Sequence, residues 1–219
     1  GNEIALVPQS VNYLDPLMRV GEQVRISARG TDSAERQRKA FAQFKLGAHV
    51  ERLFPFQLSG GMARRVLVST ATVGRAELII ADEPTPGLNA DVVMEALRQF
   101  RELADQGCAV LLITHDIESA LLIADKVAVF YAGTTVEVAT ADDFANKGER
   151  LRHPYTKALW RALPQNDFVP IPGTQPHARD FPSGCLFAPR CEAATAACSE
   201  SRPTMRAVRG GLVRCPHAS

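Results

Sequence analysis

The sequence predicts an α/β domain built on a mainly parallel sheet over residues 1–145, followed over 146–219 by a Pro- and Cys-rich extension. Three observations carry that prediction. Ile4–Val7, the stretch from Glu77 to Ala81 and the stretch from Cys108 to Ile113 are short, almost wholly apolar runs, the pattern of strands buried on both faces. Between them lie longer segments with apolar residues at helical spacing, so strands alternate with helices that cover the sheet on both sides. Beyond residue 145 the composition changes: Pro154, Pro164, Pro170, Pro172, Gly173, Pro176, Pro182, Gly184, Pro189 and Pro203 follow one another, with four of the five cysteines.

In chain order, Ile4–Val7 is stopped by Pro8 and feeds a loop bearing Gln9. Residues 32 to 46 read as a helix capped by Asp32 or Ser33, with Ala34, Phe41, Phe44 and Leu46 as its apolar positions. Phe54 to Leu58 is a linker, and a helix follows from about Gly61 to Thr72. The strand from Glu77 to Ala81 is closed by Asp82 and Glu83. An amphipathic helix from Asp91 to Gln106 carries Val93, Leu97, Phe100 and Leu103 and ends at Gly107. The strand from Cys108 to Ile113 leads into Thr114-His115-Asp116 and a helix running to about Ala124. Lys126 to Tyr131 is the next strand, and Ala132-Gly133 turns it into an antiparallel partner, Thr134 to Val138. In the extension, loops held by something other than a hydrophobic core are expected, apart from a short helix near Tyr155 to Ala162.

Bulk properties set bounds. The chain has 219 residues, 46% hydrophobic and 22% charged, as for a globular protein with a sizeable core. A formal net charge of +1 gives no reason to expect a nucleic-acid partner. There is no apolar run long enough to span a bilayer and no signal-peptide pattern, so any membrane attachment is expected through another protein. The start, Gly1-Asn2-Glu3, lacks an initiator Met and reads as a fragment.

Parallel sheets bind ligands at the carboxyl ends of their strands, where both polar clusters fall. Asp82 can reach Mg²⁺ directly or through water, and Glu83 can polarise an attacking water; two solvated acids at a strand exit would look the same. Ser59-Gly60-Gly61 opens a helix with free N–H groups and a favourable dipole for a phosphate, although a plain capped turn shares that pattern. His115 can hydrogen-bond a γ-phosphate, and Gln9 can position water or a metal; each alone is equally a structural residue.

Together the four motifs are specific. Gln9, then Leu58-Ser59-Gly60-Gly61-Met62, then Leu78-Ile79-Ile80-Ala81-Asp82-Glu83-Pro84, then Ile113-Thr114-His115-Asp116, resemble the ATP-binding-cassette (ABC) ATPase domain over residues 1 to about 138. The resemblance implies part of a P-loop NTPase fold with a helical signature subdomain, and ATP and Mg²⁺ as cofactors. It assigns Gln9 to the Q-loop and Ser59, Gly60 and Gly61 to the signature motif, which meets the γ-phosphate bound to the opposite subunit. Asp82 becomes the Walker B carboxylate for Mg²⁺, Glu83 the catalytic carboxylate and His115 the switch histidine. Pro86-Gly87-Leu88-Asn89 occupies the D-loop, where the family usually ends in Asp. No G-x-x-x-x-G-K-[ST] occurs in the chain, so as given it is expected not to bind or hydrolyse ATP unaided.

Arg152 to Leu159, Ile171-Pro172-Gly173, Gly184 to Cys191 and Arg214-Cys215-Pro216-His217 resemble the carboxy-terminal extension of ABC ATPases of oligopeptide, dipeptide and nickel importers. His153 reads as a capping or packing residue. Cys185, Cys191, Cys198 and Cys215 can supply four thiolates; the resemblance favours a [4Fe-4S] cluster, with zinc second and free thiols third. Cys108 reads as a small buried hydrophobe. The family implies an ATPase subunit energising an importer of peptides or nickel, peripheral on the cytoplasmic face of the inner membrane. Its implied partners are a second ATPase subunit, in a homo- or heterodimer, the membrane permease subunits and, indirectly, a substrate-binding protein. The alternatives are a degenerate subunit supplying only a signature motif, and an ABC ATPase serving no transporter.

Overall fold

The computed structural model describes residues 3–28 and 30–218; of the initial Gly1-Asn2-Glu3, the first two lie outside them. Contacts divide the chain into two compact units, one ending at Ile123 and one starting at Ala124.

The first unit holds a parallel sheet in the order β1-β2-β3, from β1 (Ile4–Val7), β2 (Leu78–Asp82) and β3 (Ala109–Ile113). The register pairs Val7 with Ala81 and Asp82 with Ile113, so all three strands deliver their following loops to one edge. Helix α1 (Val20–Ala28), α2 (Ser33–Gln43) and α3 (Gly60–Thr72) form a helical subdomain; α4 (Ala90–Asp105) joins β2 to β3, and a short α5 (Ile117–Leu121) follows. Helix α3 serves two cores. Val66 and Leu67 pack with Val20, Val24, Phe41 and Val50, whereas Val68 and Ala71 pack with Val7, Phe44, Ile79 and Phe100 beneath the sheet. Burying a ring such as Phe100 contributes roughly 1.5–3 kcal/mol.

Three expectations change here. Helix α1 was not foreseen: its buried face is only Val20, Gly21, Val24 and Ala28, a weak stripe among polar residues. Gly21 is required there, because a Cβ would sit 2.7 Å from the Glu51 carbonyl oxygen. Helix α5 stops at Leu121, short of Ala124. The sheet is covered by helices on one face, with α3 against β1 and α4 against β3. On the other face Ile4, Leu6, Leu111 and Ile113 are 47–53% exposed, and register places them on the side of Asp82.

The second unit is an antiparallel sheet in the order β4-β5-β7-β6, from β4 (Lys126–Tyr131), β5 (Thr134–Thr140), β6 (Arg206–Val208) and β7 (Gly211–Val213), with helices α6 (Pro154–Ala162) and α7 (Ala197–Glu200). By contacts β4 and β5 group with the later strands of the chain, β7 pairing with β5. The extension also has a small core of its own, contrary to expectation. Tyr131, Tyr155 and Phe187 meet ring to ring at 4.5–5.3 Å, and Leu151, Leu186 and Val213 are buried. Beside that core, fully buried Arg152 donates from Nη1 to Asp143 (2.9 Å) and Glu137 (3.3 Å), and from Nε and Nη2 to the carbonyls of Val208 and Arg209.

Candidate functional site

The strand ends of the first unit carry the candidate site. Asp82 is the last residue of β2, and Glu83 leaves the strand with a left-handed φ of 46°, rare for a residue with a Cβ. Its N–H still donates to the Ile113 carbonyl at 2.9 Å, which fixes the start of the loop against β3. The carboxylate then turns to His115. Oε1 lies 2.7 Å from Nδ1 and accepts from the His115 backbone N–H at 3.1 Å. The hydrogen bond that His115 donates to Glu83, and the negative charge of that carboxylate, hold the His115 imidazole above its ordinary pKa, with Asp116 adding a smaller push. His115 is largely exposed and Glu83 mostly buried. Glu83 Oε2 is buried with no hydrogen-bond partner among the described residues. One oxygen is therefore held by histidine, and the other is left without a partner.

The remaining site residues use backbone geometry. Ser59 is the N-cap of α3, its Oγ accepting from the Met62 N–H at 3.3 Å, which leaves Gly60 open at the helix start. Nothing lies within 4 Å of a Cβ built on Gly60, and one on Gly61 would come 3.7 Å from the Gly87 carbonyl, so the signature turn and the loop Pro86–Asn89 are neighbours. Asn89 caps α4, its side chain accepting from Val92 N–H at 3.2 Å, work that Asp would do equally well. The Gln9 carbonyl accepts from Arg64 Nη1 at 2.5 Å, and the same nitrogen donates to the Glu83 carbonyl at 3.1 Å. Glu83 and His115 are thus in direct contact, and Gln9 is joined to Glu83 through Arg64. Sequence reasoning missed Arg64, for which an arginine one turn into the helix after Ser-Gly-Gly was the available signal.

In the second unit the cysteines form no disulfides. Burial raises the Cys185 and Cys191 thiols, backbone N–H groups partly offset this, and the other cysteines of the set raise them further, so all four share one neighbourhood. Cys198 and Cys215 are buried; Cys198 Sγ lies 3.3 Å from His217 Nε2, and its carbonyl accepts from the Cys185 N–H at 2.7 Å. Gly184 is required at this crossing, where a Cβ would collide with the Cys198 carbonyl. Among the described residues no three His, Cys, Asp or Glu side chains converge on one point suited to a metal ion. Cys108 is partly buried against the sheet core, where desolvation raises its thiol pKa. His153 is an N-cap: its Nδ1 accepts from the Tyr155 N–H at 3.0 Å, and burial holds its pKa down at about 4.

Known proteins bear on both units. The ABC transporter family matches residues 1–86, and the oligopeptide/dipeptide transporter C-terminal region matches residues 136–198. The dipeptide transport ATP-binding protein DppD of Escherichia coli (strain K12) is 35% identical over 226 residues, 96% of this chain and 68% of that protein. The oligopeptide transport ATP-binding protein AppD of Bacillus subtilis (strain 168) is 32% identical over 231 residues, 98% of this chain and 70% of that protein. Among solved structures, a dimeric ATP-binding cassette in a post-hydrolysis state with ADP and Pi matches with a TM-score of 0.59 at 23% identity, over 64% of this chain and 63% of that one. The ATP-binding subunit of an ABC transporter matches at 26% identity, with the same TM-score of 0.59, over 65% of this chain and 60% of that one. The chain thus spans somewhat less than two thirds of these solved cassettes.

Proposed function

This chain belongs to the ATP-binding subunits of ABC transporters, and from that premise we propose that it helps energise import of peptides by hydrolysing ATP in a dimer of cassettes, given a G-x-x-x-x-G-K-[ST] phosphate loop that residues 1–219 do not themselves supply. The observation that carries the reading is the Glu83–His115 pair, with one carboxylate oxygen held at 2.7 Å and the other buried and unpartnered. In it Glu83 accepts the proton of the attacking water, and His115, its cationic form favoured by Glu83, steadies the γ-phosphate. Asp82 holds Mg²⁺ at the strand end, and Gln9 senses that ion from the neighbouring loop. Ser59, Gly60 and Gly61 lie at an open helix start, suited to the γ-phosphate bound by a second subunit. Asn89, as a helix cap, orders the D-loop beside them.

The dipeptide and oligopeptide transport relatives support peptide, in place of nickel, as the cargo in this reading. The partners in this reading are a second ATPase subunit, homo- or heterodimeric, and membrane permeases that hold the subunit peripherally at the cytoplasmic face; no helix of the described residues is long and apolar enough to cross a membrane. A substrate-binding protein completes the importer indirectly.

At Cys185, Cys191, Cys198 and Cys215 the reading is a [4Fe-4S] cluster with a structural role. Cys185, Cys191, Cys198 and Cys215 would supply its four thiolate ligands, and the cluster would tie the Pro-rich extension into one shape. Iron and sulfide in near-visible-absorbing, anaerobically prepared protein would support this, and stoichiometric zinc without iron would sink it. For the ATPase reading, Glu83→Gln in the assembled transporter should abolish turnover while trapping the ATP-bound dimer; surviving turnover would move the catalytic role elsewhere.

A further inference from the structure

We propose that Arg64 is a positioning residue for ATP hydrolysis, clamping the backbone of Glu83 and the loop of Gln9 to the helix that begins with Ser59-Gly60-Gly61. The proposal deepens the ATPase function proposed above and rests on it. One terminal nitrogen of a guanidinium carries two hydrogens, and here Nη1 has two carbonyl acceptors: Gln9 at 2.5 Å and Glu83 at 3.1 Å. Those acceptors lie 55 and 19 residues from Arg64 in sequence, so this side chain ties together three separate segments of the first unit.

Its grip falls where the backbone needs one. Glu83 keeps a φ of 46°, which a residue with a Cβ retains only when its surroundings impose it. The peptide before Glu83 is fixed by the bond to Ile113, and the carbonyl after it by Arg64. Release of the second hold lets the backbone relax and swings the carboxylate away from its line with His115. The neighbouring arginine does different work. Arg65 donates to the carbonyls of Gly61, Phe44 and Lys45, joining the start of α3 to the end of α2, and its hydrogen bonds go to neither Gln9 nor Glu83. Arg64 sits one turn beyond the signature turn, on the same rigid helix. A shift of that turn against a partner cassette is therefore transmitted directly to Gln9 and Glu83.

The test is steady-state ATP hydrolysis by the assembled transporter with wild-type subunit, Glu83→Gln, Arg64→Ala, Arg64→Lys and Arg65→Ala, alongside unfolding midpoints. Arg64→Ala should lower kcat at least about tenfold, with KM for ATP within about twofold, because misplacing a reacting group acts on the chemical step. Its unfolding midpoint should stay close to wild type, and Arg65→Ala should show the reverse, a lower midpoint with kcat preserved. Arg64→Lys, which keeps the charge and loses the planar fork, should fall between, and it carries the comparison if the alanine variant misfolds. Unchanged kcat in Arg64→Ala, or a kcat loss matched by a proportional rise in KM and a fall in midpoint, overturns the proposal while Glu83→Gln is dead. Full turnover in Glu83→Gln would remove the ATPase reading itself, and the proposal with it.

Discussion

Replacing Glu137 by Gln should destabilise the carboxy-terminal unit out of proportion to the size of the change. The side chain is fully buried, and three N–H groups converge on it: the Arg152 backbone N–H at 2.9 Å, Arg152 Nη1 at 3.3 Å and the His153 backbone N–H at 2.8 Å. Gln keeps the volume but presents an NH₂ where one of those donors points, and it leaves the buried Arg152 facing only Asp143. Removing one partner from a buried ion cluster costs about 3–5 kcal/mol. With a urea slope of about 2 kcal/mol per molar, the midpoint should fall by about 2 M. The chain has one tryptophan, Trp160, packed edge-on against Phe144 at 5.4 Å, so its fluorescence reports this unit selectively. The control is Arg161→Ala, which removes an exposed ion pair with Asp167 worth about 0–1 kcal/mol. A Glu137→Gln midpoint no lower than that of Arg161→Ala would refute the role assigned to the cluster.

The same tryptophan reads a pH effect. His153 has its folded pKa depressed from 6.5 to about 4 by burial, so its stabilising contribution is complete above 6.5 and is lost as pH falls toward 4. His153→Asn, which keeps a capping acceptor, should flatten stability across that window; an unchanged slope would count against a neutral buried imidazole. Asp143 acts further down the scale: burial pushes its carboxyl up, but hydrogen bonds from Arg152 and Thr140 outweigh this and hold it below its ordinary 3.8. Asp143→Asn should remove stability that wild type keeps above that value and loses below it, as followed by acid unfolding. At the site, Glu83→Gln should bring the raised His115 pKa back toward 6.5, measured from the imidazole ring signals by NMR. A titration identical to wild type would mean that the 2.7 Å contact does not persist in solution.

Much of the site was legible in the chain because its signals are local. An apolar run that ends in Asp82-Glu83 places both carboxylates at a strand end, and Ser59 before two glycines caps a helix within three residues of itself. Strand β3, too, is an apolar run that ends just before His115 and carries it to the same edge. Helix α1 escaped because its stripe is short and weak; its burial depends on Phe41, Val50 and Val66 from other elements. Strands β6 and β7 span only three residues each, too few for a period, and exist because β5 offers an edge.

The sequence by itself determined the family resemblance, the three strands of the first unit and the identity of the groups at their ends, since each depends on neighbours a few positions away. Tertiary structure alone decided which of two adjacent arginines reaches Gln9 and Glu83. Arg64 and Arg65 are alike in composition and helix propensity, and differ only by the turn of a helix, which aims one at Gln9 and Glu83 and the other at Phe44 and Lys45. The burial of Arg152 between Glu137 and Asp143 was settled in the same way, by carboxylates 15 and 9 residues distant that the sheet and its following loop bring to one point.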